Sequence, residues 1–223
     1  MTAEDVGGYG HRESGSIWFK YRAFREEGGQ KVPVGRLVRW NADTKTEDEF
    51  SFVSGLVQSV QFRLNEGHPA RGVEEYNEVI LALSAVQDGV AAVFKVALRA
   101  SSTAAFALVR RLACVGRGEL VTVKAFLIAE AGQKRPGLTL MRVVGGQELR
   151  IEPVETDVPF REYGGLKGPR LDVAKNENAM LREEWVETTV RGLAFFDDGA
   201  AHLAAAVTEK PVGGGEYDPF ADE

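Results

Sequence analysis

The sequence predicts a mainly β protein arranged around one helix, and three neighbouring segments carry that prediction. Residues 93–99 alternate in polarity, with Phe94 and Val96 on one face, as in a half-buried strand. Residues 104–115 are good helix formers that follow two serines able to cap a helix. Residues 120–128 are rich in β-branched side chains and alternate again. The three patterns together predict a strand, a helix and a strand.

Further strands are predicted on both sides of this unit. Residues 50–62 alternate, and residues 76–85 form a nearly continuous apolar run that is typical of a buried strand. Residues 138–144 follow the unit, and a Gly-Gly turn joins them to residues 149–154. The resulting order is three strands, one helix and two strands. This is the layout of an OB-fold, a five-stranded Greek-key barrel with its helix between strands 3 and 4.

A β-hairpin is predicted ahead of the barrel, over residues 17–24 and 34–40, after a loose arm over residues 1–16. Residues 41–49 predict a polar, acidic loop. One face of the first hairpin strand brackets two cations with two rings: Trp18, Lys20, Arg22 and Phe24. Single-stranded nucleic acid favours this composition because bases stack on rings and phosphates pair with cations. The alternative is a two-sided strand whose rings are core and whose cations are solvated.

The C-terminal third has a different character. Residues 155–208 predict an extension with a loop, an amphipathic helix over 179–193 and one further short element. Trp185 is expected to anchor that helix by packing. Residues 209–223 predict a flexible acidic tail with a glycine-rich linker. The predicted division is therefore the arm, an OB-fold core with its N-terminal hairpin over 17–154, a C-terminal helical extension and the tail.

Charge is distributed unevenly along the chain. The 223 residues carry a formal net charge of −6. Residues 1–154 hold 20 basic and 18 acidic side chains, residues 155–208 hold 6 and 10, and residues 209–223 hold 1 and 5. A mildly positive core beside an acidic tail is compatible with nucleic-acid binding, although the total charge alone argues against it.

The sequence lacks the usual signs of a membrane or exported protein. Its apolar runs are too short to span a bilayer, and no basic-then-apolar segment at the N-terminus predicts export. The single cysteine, Cys114, cannot form an internal disulfide, so a reducing cytoplasm is predicted. Cys114 falls on the predicted apolar face of the helix, which predicts a packed core thiol.

Catalytic and metal-binding signatures are also missing from the sequence. His11, His68 and His202 are far apart, and none has a second ligand at metal-binding spacing. The sequence contains no phosphate-binding Gly-Lys-Ser/Thr loop, no Gly-x-Gly-x-x-Gly after a strand and no Gly-x-Ser-x-Gly elbow. We therefore predict no catalytic residue, no metal site and no cofactor, and we do not expect an enzyme.

The tail carries a short motif that resembles one known family. It reads Asp218-Pro219-Phe220, followed by Ala221-Asp222-Glu223. Together with the order of strands and helix, this tail resembles the single-stranded-DNA-binding proteins of bacteria and tailed phages. Those proteins pair an OB-fold with a flexible acidic C-terminus that ends in or near Pro-Phe. The ring is not terminal here, which is closer to the phage replication proteins.

The resemblance implies a function for the barrel and for the tail. The barrel would bind single-stranded DNA without reading its sequence, during replication, recombination and repair. The tail would recruit replication and recombination proteins and compete with DNA for the basic groove. The expected location is the cytoplasm of a bacterial host, without membrane association and with homodimer formation left open. The tail residues that would dock on partners are Asp218, Pro219, Phe220, Asp222 and Glu223.

The predicted DNA contacts are rings and cations of the strands. They are Trp18, Lys20, Arg22, Phe24, Arg63, Lys95, Arg99, Lys124, Phe126 and Arg142. Outward cations are also what soluble strands carry, so the set predicts binding better than any one member does. Two alternatives stay open. One is a protein-interaction module whose Asp-Pro-Phe tail is the docking motif, and the other is an RNA-binding OB protein.

Overall fold

The computed structural model describes residues 16–67, 70, 72–87, 90–130 and 133–198, which form one sheet and two helices. The elements in chain order are β1 (Ser16–Glu27), β2 (Gln30–Asn41), β3 (Thr46–Phe50), β4 (Phe52–Asn65), β5 (Tyr76–Gln87), β6 (Val90–Arg99), α1 (Thr103–Leu112), β7 (Leu120–Glu130), β8 (Gln133–Val144), β9 (Gln147–Arg150) and α2 (Pro169–Arg191). The prediction of a mainly β protein is confirmed.

All nine strands belong to a single mixed sheet, in the order β3-β2-β1-β6-β5-β4-β7-β8-β9. Only β1 and β6 pair in parallel, and every other neighbouring pair is antiparallel. The strands expected to form the five-stranded barrel are β4 to β8, and they lie side by side as β6-β5-β4-β7-β8. They do not close on each other within the described residues, because β6 pairs with the hairpin strand β1. The architecture is therefore an open nine-stranded sheet.

Two boundaries differ from the sequence prediction. The polar segment expected to be a loop contains β3, which pairs with β2 along the sheet edge from Leu37–Phe50 to Asn41–Thr46. Its acidic side chains suit an edge strand, because charge discourages pairing with another chain. The second helix begins ten residues earlier than predicted. Pro169 is placed at its start, where a missing N–H costs no helical hydrogen bond.

The core lies between one face of the curled sheet and α1. Leu108, Val109 and Leu112 of α1 are fully buried with the apolar side chains of the strands. The curl brings β2 across the end of β7, where Gly35 has a φ of 52°. A Cβ on Gly35 would overlap the backbone carbonyl of Phe126, so only glycine allows this approach. The β1–β2 hairpin is thereby held close to the ends of β7 and β8.

The second helix packs on the first through aromatic rings. The ring centroids of Phe106 and Trp185 are 5.0 Å apart, and Phe106 also meets Phe160 at 5.3 Å. The predicted packing role of Trp185 is confirmed. Cys114, in contrast, is exposed just beyond the end of α1, so the predicted core thiol is wrong. Neither helix in the described part of the chain is long and apolar enough to cross a membrane.

Candidate nucleic-acid interface

Six of the ten predicted contacts come from β1, β4 and β6 and lie on the side of the sheet that points away from the core, which we call the outer face. They are Trp18, Lys20 and Arg22 of β1, Arg63 of β4, and Lys95 and Arg99 of β6. Strand pairing explains their proximity. Trp18 is opposite Lys95, and Glu78 of β5 is opposite both Arg63 and Arg99. The face that Trp18, Lys20 and Arg22 share on β1 therefore continues across β5 to predicted contacts on two further strands, β4 and β6.

The ring of Trp18 is covered on this face, with only 8% of the residue exposed. It packs against Ile80 and Ala97. The Nζ of Lys95 lies 5.1 Å from the ring centroid, and the guanidinium carbon of Arg63 lies 5.3 Å from it. These are cation–π distances. In this arrangement Trp18 supports two cations, and its faces are not open to a base.

Glutamates offset much of the positive charge around Trp18. Glu78 is 3% exposed and accepts hydrogen bonds from the Nε of Arg63 at 2.9 Å and from Asn65 at 3.1 Å. Arg22 forms an ion pair with Glu47 at 2.5 Å. Burial lowers the pKa of Lys20, and this effect is opposed by the charges of Glu78 and Glu47. The part of the outer face around Trp18 is thus a network of paired positive and negative charges.

Three open grooves meet around the second half of β1, and we call them together the β1 groove. The hairpin groove, of about 460 Å³, runs along β1 and β2. The helix-start groove, of about 380 Å³, lies between β1, the ends of β5 and β6 and the start of α1. The α1–β8 groove, of about 740 Å³, lies between α1, β7 and β8. Tyr21 and Ala23 line all three, so the grooves adjoin one another along β1.

Cations outnumber acids along the β1 groove. The cations that line it are Lys20, Arg22, Arg25, Lys31, Arg99, Arg111 and Arg150. The acids that line it are Glu26, Glu47 and Glu78. Four rings also line it: Tyr21, Phe24, Tyr76 and Phe126. A groove that joins a positive excess to several rings is suited to a polyanion that carries flat groups.

Phe24 and Tyr76 are two rings of the groove, the first exposed and the second in contact with a cation. Phe24 is 50% exposed and follows a register shift between Arg22 and Phe24, which re-aims the strand. The guanidinium carbon of Arg99 lies 5.3 Å from the ring centroid of Tyr76. Lys31 and Arg99 form no ion pair with any residue that the structure describes.

The start of α1 adds a positive end to the helix-start groove. Ser102 caps the helix, and its hydroxyl accepts a hydrogen bond from the backbone N–H of Ala105 at 3.1 Å. Ser102, Thr103 and Ala104 all line the groove, next to Arg99. The N-terminal end of a helix carries partial positive charge and favours anions. It therefore reinforces the side-chain cations at this point.

The other four predicted contacts are distributed differently. Phe24 and Phe126 line the β1 groove, and the ring of Phe126 lies against Gly137. Lys124 forms an ion pair with Glu148 at 2.6 Å, outside the groove. Arg142 bonds to Glu119 at 2.6 Å and to the carbonyl of Cys114 at 2.7 Å, which ties β8 to the end of α1. The predicted tail contacts, from Asp218 to Glu223, lie outside the described residues.

Sequence reasoning missed several residues of the groove, among them Tyr21, Tyr76, Arg111 and Arg150. Tyr21 belongs to the opposite face of β1 by alternation, so the sequence did not group it with the cations of Lys20 and Arg22. Tyr76 begins an apolar strand and was expected to be core. The available signal was the position of Tyr76, an aromatic residue at the start of β5, whose paired strand β6 ends in the cation Arg99.

A metal site has no support in the described residues, which contain no cluster of three or more His, Cys, Asp or Glu side chains able to hold an ion.

No known family model, curated protein or solved structure matches the chain. The function of the chain is therefore inferred from the residues that line the β1 groove.

Proposed function

We propose that this protein binds single-stranded DNA along the β1 groove, without reading its sequence, and protects the strand during replication and recombination. The observation that carries the proposal is the convergence of seven cations and four rings from separate elements on three adjoining grooves. Phosphates would contact the cations, and bases would stack on the rings, beginning with Phe24 and Tyr76. Every base offers a π-face, so such binding needs no sequence code.

The strand order supports an OB-type core as part of this proposal. The run β6-β5-β4-β7-β8, with α1 between β6 and β7, is the connectivity of a five-stranded OB barrel opened at one seam. In this interpretation the β1–β2 hairpin occupies the open seam between β6 and β8. The β1 groove then follows the seam, with α1 beside it.

The acidic tail and the cellular setting complete the proposal. Residues 209–223 would recruit replication and recombination proteins through Asp218, Pro219 and Phe220, and would compete with DNA for the cations of the groove. The proposed location is the bacterial cytoplasm, for a protein encoded by the host or by a phage. This location fits the single cysteine. The competition predicts tighter DNA binding when residues 211–223 are deleted.

A second candidate function is a protein-interaction module, and one observation favours it. The outer face of β4 and β7 exposes Phe52, Leu56 and Leu120 by 56%, 44% and 39%. Leu56 and Leu120 are direct neighbours because they are opposite each other, whereas Phe52 lies four residues farther along β4, opposite Lys124. An apolar patch of this kind is typical of a contact surface for another protein.

A titration with a fluorescent thirty-nucleotide oligo-dT tests the proposed function. Full-length protein is expected to bind the single strand tightly at low salt and more weakly at moderate salt, since phosphate contacts release counterions. A duplex of the same length and the matched RNA are the comparisons for strand and sugar preference. The absence of salt-sensitive binding by both the full-length and the tail-deleted protein would overturn the proposal and favour the interaction module.

A further inference from the structure

The α1–β8 groove is the largest of the three grooves by volume. Its volume of about 740 Å³ lies in the range of small-molecule sites, roughly 300–1,000 Å³. One wall is formed by Ala104 and Ala107 of α1. The opposite wall is formed by Phe126 of β7 and by Pro136 and Met141 of β8. The result is a mainly apolar slot whose mouth opens beside Phe24.

Two residues that line this slot each carry a buried polar atom without a hydrogen-bond partner among the described residues. These atoms are the hydroxyl of Tyr21 and the Nε of Arg111. Burial raises the pKa of Tyr21 to about 12, so the hydroxyl stays protonated at neutral pH and can donate. Buried donors in native structures usually have partners, and an exception calls for an explanation. A ligand that brings an acceptor is one such explanation.

The charge at the inner end of the slot is positive. Burial lowers the pKa of Arg111, and the neighbouring charges of Arg150 and Arg110 lower it further. The nearby Glu152 opposes them, but it is already 3.3 Å from Arg150 in an exposed ion pair. Arg111 is held in place by donating to the carbonyl of Ala107 at 2.9 Å. Arg111 and Arg150 line the slot beside this single acid, which leaves a place for an anion.

We propose that the α1–β8 groove takes one nucleotide of the bound strand, with its base in the slot against Phe126 and its phosphate at Arg111 and Arg150. The inference rests on the proposed function and deepens it. A nucleotide combines a flat, largely apolar ring with an anion, which matches the apolar walls and the cations of the slot. The strand reaches it from the hairpin groove, because Tyr21 and Phe24 line both.

The test compares two thirty-residue probes, oligo-dT and an abasic phosphate chain that carries no bases. The variants are Phe126→Ala and Arg150→Gln. Their matched controls are Phe52→Ala, an exposed ring on β4, and Arg117→Gln, an exposed cation beyond α1, neither of which lines the groove. Phe126→Ala is expected to weaken oligo-dT binding roughly 5-fold or more, which is the effect of one lost stacking contact, and to leave the abasic chain unchanged. Arg150→Gln is expected to weaken both probes, and the controls neither.

The outcomes separate this inference from the proposed function. If the wild type binds oligo-dT while Phe126→Ala and Arg150→Gln bind within twofold of it, the nucleotide slot is wrong and the track along β1 stands. If the wild type binds neither probe, both proposals fail. Thermal unfolding checks the fold of each variant. If Phe126→Ala does not fold, Phe126→Leu replaces it, because leucine keeps the packing against Gly137 without the ring. Arg150→Gln tests the phosphate contact independently, and it is expected to fold because Arg150 is exposed.

Discussion

Two pairs of cations on one sheet differ in what they contact: Arg63 and Lys95 beside Trp18, and Lys31 and Arg99 in the β1 groove. Arg63 and Lys95 pack on a buried ring, and Arg63 also bonds to the buried Glu78. Lys31 and Arg99 face open grooves and form no ion pair with the described residues. The same alternation of rings and cations in the sequence therefore produces a structural network in one place and an accessible surface in the other.

The comparison teaches that burial of the ring decides the role of the cation. A ring that is 8% exposed gives stability, whereas Phe24, which is 50% exposed, has a face available to a ligand. The predictions below separate the two regions by measuring stability and DNA affinity in the same variants.

Trp18→Ala is expected to have the largest effect, and the effect is on stability. Removing a buried ring leaves a cavity and releases two stacked cations, so the free energy of unfolding should fall by about 3–5 kcal/mol. Urea denaturation measures it. A decrease in the free energy of unfolding of less than about 1 kcal/mol would show that the Trp18 ring does not stabilise the sheet. The difference in role between Trp18 and the β1 groove would then be contradicted.

Glu78→Gln should destabilise the network beside Trp18 by about 1–3 kcal/mol, because a buried acceptor of two hydrogen bonds loses its charge. Arg63 is partly exposed and can regain water, which keeps the cost below that of a fully buried pair. The measurement is again urea denaturation, with Glu27→Gln on the exposed hairpin as control. Equal midpoints for the two variants would contradict the structural role of Glu78.

Phe24→Ala should behave in the opposite way to Trp18→Ala. An exposed ring contributes little to folding, so the free energy of unfolding should change by about 0.5 kcal/mol or less. Oligo-dT affinity should fall by about 1–2 kcal/mol, as expected for a lost stacking contact. Fluorescence titration checks the affinity. A variant with wild-type affinity would remove Phe24 from the DNA track.

Tyr21→Phe is expected to have the smallest effect at neutral pH, because the deleted hydroxyl has no partner among the described residues. The pH dependence is sharper. The folded pKa of Tyr21 is raised from about 10 to about 12, so its contribution is fully present below pH 10 and is lost as the pH rises toward 12. Tyr21 is half-buried, so the loss is about 1 kcal/mol after allowance for solvent screening. Stability measured from pH 9 to 12 should fall less in Tyr21→Phe than in the wild type, and parallel curves would contradict the shift.

Much of the fold could be predicted from local patterns. Alternation located the strands of the hairpin and β4 to β8, and apolar spacing located α1. Strand pairing between distant segments could not be read in the same way. The parallel pair of β1 with β6 depends on contacts across more than 70 residues, from Ser16–Val93 to Lys20–Ala97. The expected closure of β6 with β8 therefore gave way to an open sheet.

The candidate site was predictable only in part, for two physical reasons. Alternation assigns faces correctly up to Arg22, and the register shift there changes the geometry for Phe24. Side-chain partners are also invisible in a sequence. Nothing in the spacing of Lys124 and Arg142 indicates that Glu148 and Glu119 already occupy them. Composition thus found the right kinds of residue, and tertiary contacts decided which of them face the groove.

The most direct test of the central claim is the slope of log affinity against log salt for oligo-dT, measured on two double variants. Lys31→Gln with Arg99→Gln removes two cations of the β1 groove, and Lys124→Gln with Arg117→Gln removes two outside it. Each lost phosphate contact on a single strand should reduce the slope by about 0.7. We predict a reduction of about 1.4 for the groove variant and none for the control. Equal slopes in the two variants, or an effect confined to the control, would contradict DNA binding in the β1 groove.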